Sequence, residues 1–380
     1  MIFDYETIKF IWWLFIAALL IGFALTDGYD MGAGTLLPFL GRDDEERRVI
    51  LNALAPHWDG NQVWFITGAA ALFAAWPPVY AAAFSGFYLV LLATLFALLL
   101  RPGAFEYRSK VGDPRWRRAW DWALFVGSAF PALIFGAAFG NLLLGVPFTY
   151  DADLRPVYEG SVLGQLRPFA LLTGVVGLSL LVTHGAVYLG LRTEGAVRRR
   201  AARAARLFAV VMVVAFLLAG IWLVLGVPGY HIVSMPSPDA AASLVAKRGD
   251  VMDGAWLANF RTYPWTVLAP GGGVVGAFGV LIFAGRGSGR FAFAASVLSV
   301  VGVIATAGIS LFPFIMPSSI DPNASLTVWD GTSSYRTLSI MFWVTVIFLP
   351  VVLAYTFWAY RMMWRRLDVE HIREEGPNLY

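Results

Sequence analysis

Nine stretches of the chain are apolar over helical length: residues 10–26, 49–76, 79–100, 119–144, 163–191, 207–227, 263–284, 291–316 and 338–360. A bilayer core about 30 Å thick takes roughly 20 helical residues to cross. Each stretch is apolar throughout, without the two-residue alternation of a membrane β-strand, so each is read as a transmembrane helix. Pro77-Pro78 separates the second stretch from the third, because proline lacks the amide donor a helix interior needs. The expected fold is an all-α polytopic membrane protein, a single integral membrane domain over 1–380. Helices 1–4 are expected at about 8–145, helices 5–8 at about 162–316 and helix 9 at about 336–365. The connections at about 145–162, 228–262 and 317–337 carry turn formers and are expected to pack as short surface loops.

Composition agrees with this reading. Of the 380 residues, 58% are hydrophobic and 14% charged, against about 25% charged in a soluble domain. Charge orients the chain. The connections after helices 1, 3, 5 and 7, together with the C-terminal tail, hold 21 of the 28 Lys and Arg residues. The positive-inside rule then places the N-terminus outside and the C-terminus in the cytoplasm. The start, MIFDYETIKF, lacks a basic region and a small-residue cleavage site, so the first apolar run is expected to stay as a helix. There are no cysteines, which excludes disulfides, thiolate zinc sites and iron–sulfur clusters. Many of the 15 Trp lie near span ends, as an interfacial aromatic belt does.

The second stretch is unexpectedly polar: APHWDGNQVW places His57, Asp59, Asn61 and Gln62 within six positions. Counted from Arg48 along one continuous helix, Asp59 lies about 16 Å deep, near the midplane. A carboxylate there costs about 2.5–3.5 kcal/mol and must face protein or water. Helical angles place His57 with Asn61 on one face and Asp59 with Gln62 on another, while Gly60 leaves room for a neighbouring backbone. Asp27 and Asp30 share a face if helix 1 continues past Thr26, and the glycines of DGYDMGAG mark a kink or a projecting end. Asp27 then lies about 27 Å in from Lys9, close to the inner boundary. Two acids near the inner mouth and one at mid-depth are the layout of a proton path, since a buried carboxyl can take up and release protons near neutrality. Hydrogen-bonded anchoring explains the same acids without transport. Asp121 reads as an inner-leaflet anchor and His184 as a structural histidine. His57 and His184 differ in depth, and no Glu-x-x-His pair or HExxH motif is present, so this chain is not expected to ligate a haem or a metal. A weak likeness between 19–34 and 178–193, each with a Thr-polar-Gly step, suggests related halves about an axis along the membrane normal.

The stretches DYETIKFIWW, IGFALTDGYDMGAG, APHWDGNQVW, FAAWPPVYAAAFSGFY, AFGNLLLGVPF, FPFIMPSS and NASLTVWD resemble subunit II of cytochrome bd-type quinol oxidases, from end to end through the terminal Tyr380. The resemblance implies nine helices as two four-helix bundles plus one peripheral helix, in the bacterial cytoplasmic (inner) membrane. It implies a haem-bearing partner, subunit I, with two b-type haems and one d-type haem, and leaves room for small single-helix accessory subunits. It also implies a haem-free role for this chain, membrane lipid as its surroundings and, in some members, a structural quinone. The family's proton-path acids fall on Asp27, Asp30 and Asp59, with His57 and Trp58 flanking the last. Two alternatives stand beside it: a proton-coupled secondary transporter, and a purely structural membrane subunit.

Overall fold

A computed structural model describes residues 3–364 and 366–374; the C-terminal GPNLY stretch lies outside the described residues. The helices are α1 (Tyr5–Leu25), α2 (Asp27–Leu40), α3 (Asp44–Leu54), α4 (Trp58–Ala75), α5 (Pro77–Gly86), α6 (Tyr88–Tyr107), α7 (Pro114–Leu144), α8 (Pro168–Arg192), α9 (Gly195–Gly226), α10 (Ala258–Thr262), α11 (Leu268–Gly285), α12 (Gly289–Leu311), α13 (Tyr335–Met362) and α14 (Val369–Glu374). Among the described residues, eight helical segments are long and apolar enough to cross a membrane. α4 covers the rest of the second expected stretch. Its 18 residues rise about 27 Å, and the polar residues of its first turns lower its hydropathy.

The expected second span, 49–76, is not one helix. Pro56 has no amide hydrogen to continue α3, and the Ala53 carbonyl, left without a helical donor, accepts instead from Tyr188 Oη at 3.2 Å. His57 is the residue capping α4, and Asp59 stands in that helix's first turn. α3 starts with Asp44, Glu45 and Glu46, which favours its N-terminal dipole end, and it meets the arginine-rich connections: Asp44 pairs with Arg108 at 2.9 Å and Arg117 at 2.7 Å. Asp59 therefore stands in the first turn of a separate helix, and the continuous helix along which its depth from Arg48 was counted is corrected. The third span also bends, at Phe87, between α5 and α6.

Helix 1 divides at Thr26, where the expected kink falls. Beyond it α2 is buried almost throughout and packs on α7 and α8. α8 and α9 pack together, α11 packs against α9 and α12, and α12 closes back on α8 and α1. α13 lies at the periphery against α1, with most of its length exposed. The three connections expected as surface loops form small antiparallel hairpins: β1 (Phe148–Tyr150) with β2 (Pro156–Tyr158), β3 (Gly229–Ser234) with β4 (Arg248–Met252), and β5 (Phe314–Met316) with β6 (Leu326–Thr327). Lys9 is buried, and its Nζ donates to the carbonyls of Pro238, Ala240 and Trp329.

The two Thr-polar-Gly segments that suggested related halves meet face to face. A Cβ on Gly32 would stand 2.0 Å from the Leu181 carbonyl oxygen, and one on Gly185 would stand 2.4 Å from the Ala33 amide nitrogen. Such contact is how membrane helices gain packing without a hydrophobic drive between them. Gly32→Ala is expected to destabilise by about 3 kcal/mol, the upper range for overpacking, because the clash is with backbone. Gly190→Ala, in α8 with open space around it, is expected to leave stability unchanged. Thermal melting of the detergent-purified protein compares the two.

Candidate functional site

Just beyond the Thr26 break, both acids of α2 are buried, each with 1% of its surface exposed. They face different partners. Asp27 receives both terminal nitrogens of Arg101 on α6, at 2.8 and 2.5 Å, and Arg101 is equally buried. A bidentate guanidinium–carboxylate pair is among the strongest hydrogen-bonded ion pairs. Asp30 Oδ2 accepts from Asn61 Nδ2 of α4 at 2.7 Å, while its Oδ1 has no partner among the described residues. The two acids are therefore enclosed by protein.

Asn61 joins three helices. Its Nδ2 also donates to Tyr29 Oη at 2.8 Å, Tyr29 and Tyr360 share a hydrogen bond at 2.6 Å, and Tyr360 Oη donates to Asn61 Oδ1. Tyr360 comes from α13, which thereby reaches from the periphery into the acid cluster. Stacking fixes both phenols: Tyr29 lies on Tyr188 at 3.9 Å between ring centres, and Tyr360 on His57 at 4.1 Å with 3° between ring planes. His57 and Asn61 do share a face, as expected, and Tyr360 is what they share. Trp58 stacks on Phe105 at 5.1 Å. His57 Nε2 is buried without a partner among the described residues.

Asp59 is not brought into this cluster. It is exposed and begins a stripe of exposed residues on α4, with Val63, Ile66, Thr67 and Ala70 at helical spacing. Beside it, a Cβ on Gly60 would meet nothing within 4 Å, so the close backbone expected there is not supplied by this chain. A carboxylate on an otherwise apolar outward face requires cover by something other than hydrocarbon.

Asp121 is an anchor, as read from the sequence: its carboxylate holds Arg47 at 2.7 Å and Arg108 at 2.6 Å. His184 is completely buried, with Nδ1 on Ser296 Oγ at 2.8 Å and Nε2 on the Leu25 carbonyl at 3.1 Å. No group of three or more His, Cys, Asp or Glu side chains among the described residues could hold a metal ion. A cavity of about 830 Å³ opens among α1, α7, α8, α9, α11 and α12, lined by Phe23, Phe135, Phe139, Phe216 and Val303 with few polar groups.

Sequence reasoning missed Arg101, Tyr29 and Tyr360. Arg101-Pro102 reads as the end of a span and the start of a charged loop, yet α6 runs through Pro102 to Tyr107. Tyr29 and Tyr360 carry no local signal, because their partners lie 32 and 299 residues away.

A family model described as cytochrome bd terminal oxidase subunit II matches residues 8–363. The chain is 49% identical over 377 residues to the cytochrome bd-I ubiquinol oxidase subunit 2 of Escherichia coli (strain K12), covering 99% of this chain and all of that protein. It is 31% identical to the cytochrome bd ubiquinol oxidase subunit 2 of Bacillus subtilis (strain 168), covering 94% and 96% of the two. Its fold is similar to a chain of the bd oxidase from Geobacillus thermodenitrificans, with a TM-score of 0.66 at 14% identity, covering 94% of this chain and 98% of that one.

Proposed function

The chain belongs to the cytochrome bd terminal oxidase subunit II family, and from that premise we propose that it is the haem-free subunit that carries protons from the arginine-rich end of the bundle to a haem-bearing subunit I. That end is then the cytoplasmic face of the bacterial inner membrane, with the N-terminus outside. The haems of the partner, two b-type and one d-type, supply the electron transfer from quinol and the reduction of oxygen to water. This chain's own residues make a poor haem site. Both ring nitrogens of His184 are engaged, and His57 lies buried against the ring of Tyr360.

The observation that carries the reading is the placement of Asp59 and Asn61. They stand two residues apart on α4, one facing outward and the other bonded to buried Asp30. α4 is thus the wall between an enclosed acid cluster and an apolar outer face, and the exposed stripe led by Asp59 is the face that subunit I covers. Protons enter at the buried pair formed by Asp27 and Asp30 from the arginine-rich end, pass α4 beside His57 and Trp58, and leave at Asp59. Each proton compensates an electron arriving in the partner. Lipid and any small single-helix accessory subunits take other outward faces. The apolar cavity beside Phe23 and Phe135 has the size and lining for the isoprenoid chain of a structural quinone.

Membranes solubilised and purified through a tag on this chain test the reading against a proton-coupled transporter. Visible haem absorption and oxygen consumption driven by added quinol are expected in the purified fraction. A colourless preparation with this chain as its sole large component would overturn the assignment.

A further inference from the structure

Asp27 and Asp30 sit three residues apart, but their surroundings permit different things. Arg101 cannot lose its proton inside a protein, and both oxygens of Asp27 are taken by it. Protonating Asp27 would leave a buried guanidinium without its anion, so Asp27 is a fixed counter-charge. Asp30 meets groups that can both donate and accept. Besides Asp27 and Arg101, the titratable groups acting on it from the packed helices are Tyr29, Tyr188 and Tyr360.

The hydrogen atoms can be counted. With Asp30 ionised, Asn61 Nδ2 donates one hydrogen to Asp30 Oδ2 and its second to Tyr29 Oη. Tyr29 then donates to Tyr360, and Tyr360 donates to Asn61 Oδ1. Every donor in this closed ring has one acceptor. With Asp30 protonated, a half-turn of the Asn61 amide exchanges its oxygen and nitrogen, and the ring runs the other way. Asp30 donates to Asn61 Oδ1, Tyr29 donates to the same oxygen, Tyr360 donates to Tyr29, and Asn61 Nδ2 donates to Tyr360. A hydroxyl serves equally as donor and acceptor, and an amide oxygen accepts twice, so Asp30, both phenols and the Asn61 oxygen are paired in either state, and only one Asn61 Nδ2 hydrogen lacks an acceptor within the ring when Asp30 is protonated. An unpaired buried group costs about 1–3 kcal/mol; the ring avoids that cost with Asp30 ionised and confines it to a single amide hydrogen with Asp30 protonated. The stacked His57 and Tyr188 hold the two phenols in place while the hydrogens redistribute.

We propose that Tyr29, Asn61 and Tyr360 form a reversible hydrogen-bond ring that pairs with Asp30 in either protonation state, making Asp30, and not Asp27, the acid that exchanges protons. This rests on the proposed proton path. Tyr29 and Tyr360 are positioning residues: they act through Asn61.

The test uses the assembled oxidase carrying Tyr29→Phe, Tyr360→Phe, both together, or Asp30→Asn. Turnover is measured per d-type haem at saturating quinol, together with KM for quinol and thermal melting. Each tyrosine change opens the same ring, so each is expected to lower kcat about tenfold with KM unchanged. The double variant is expected to match the singles, because a ring already open has little more to lose. A double variant about a hundredfold slower would make the two hydroxyls independent and overturn the ring. Single variants that keep the parent kcat would overturn it too, even where their melting temperatures fall, since that is the mark of a purely structural contact. Failure of either single variant to assemble would make the ring a folding element and likewise overturn it. Asp30→Asn separates the two levels. If it retains full turnover, the proton path itself is wrong; if it is slow while the tyrosine variants are fast, the path stands and the ring falls.

Discussion

Arg101→Leu is expected to abolish accumulation of the assembled protein. The substitution strips Asp27, with 1% of its surface exposed, of the cation that pairs with its carboxylate among the described residues. Breaking one side of a buried pair costs about 3–5 kcal/mol, because the remaining charge stays desolvated. That is a large share of the 5–15 kcal/mol by which folded proteins exceed their unfolded states. Asp27→Asn attacks the same pair from the other side, leaving Arg101 without its anion, and is expected to behave alike. The double change Asp27→Leu with Arg101→Leu is expected to recover much of the lost yield, since replacing both charges by apolar groups removes the desolvation cost along with the attraction. Haem content and melting temperature of the tagged preparation read all three. A single Arg101→Leu variant with parental yield and melting temperature would show that the pair is not what holds α2 against α6.

The all-α, membrane-spanning character of the chain was legible in the sequence, because lipid exposure imposes long apolar runs. The break at Thr26 was legible as well, through the glycines that follow it. Pro56 was in plain view, yet hydropathy over 49–76 read as one span and placed Asp59 in the middle of a helix that in fact breaks just before it. The same habit ended the third span at Pro102, although a helix can run through a proline when neighbours satisfy the freed backbone, and so Arg101 was placed in a loop. The acids themselves were found because an ionisable residue in an apolar segment stands out. What they bind was not, since Arg101, Asn61 and Tyr360 come from three other helices and no local pattern ties them to α2. Asp59 shows the remaining limit: its exposure in this chain is informative only once the outer face of α4 is treated as an interface.

The second large effect belongs to that residue. Asp59→Asn keeps the shape of the side chain and removes its charge, and the exposed position on α4 leaves this chain's own packing undisturbed. If protons leave through Asp59, blocking it slows oxygen reduction without touching quinol binding or haem assembly. A loss of about a hundredfold is expected, the scale on which a positioned proton-transfer group contributes to a rate. The decisive measurement is therefore oxygen consumption per d-type haem by the purified Asp59→Asn oxidase, beside its haem content. Normal haem content with turnover reduced about a hundredfold is the predicted result; normal haem content with full turnover would contradict the path through this subunit.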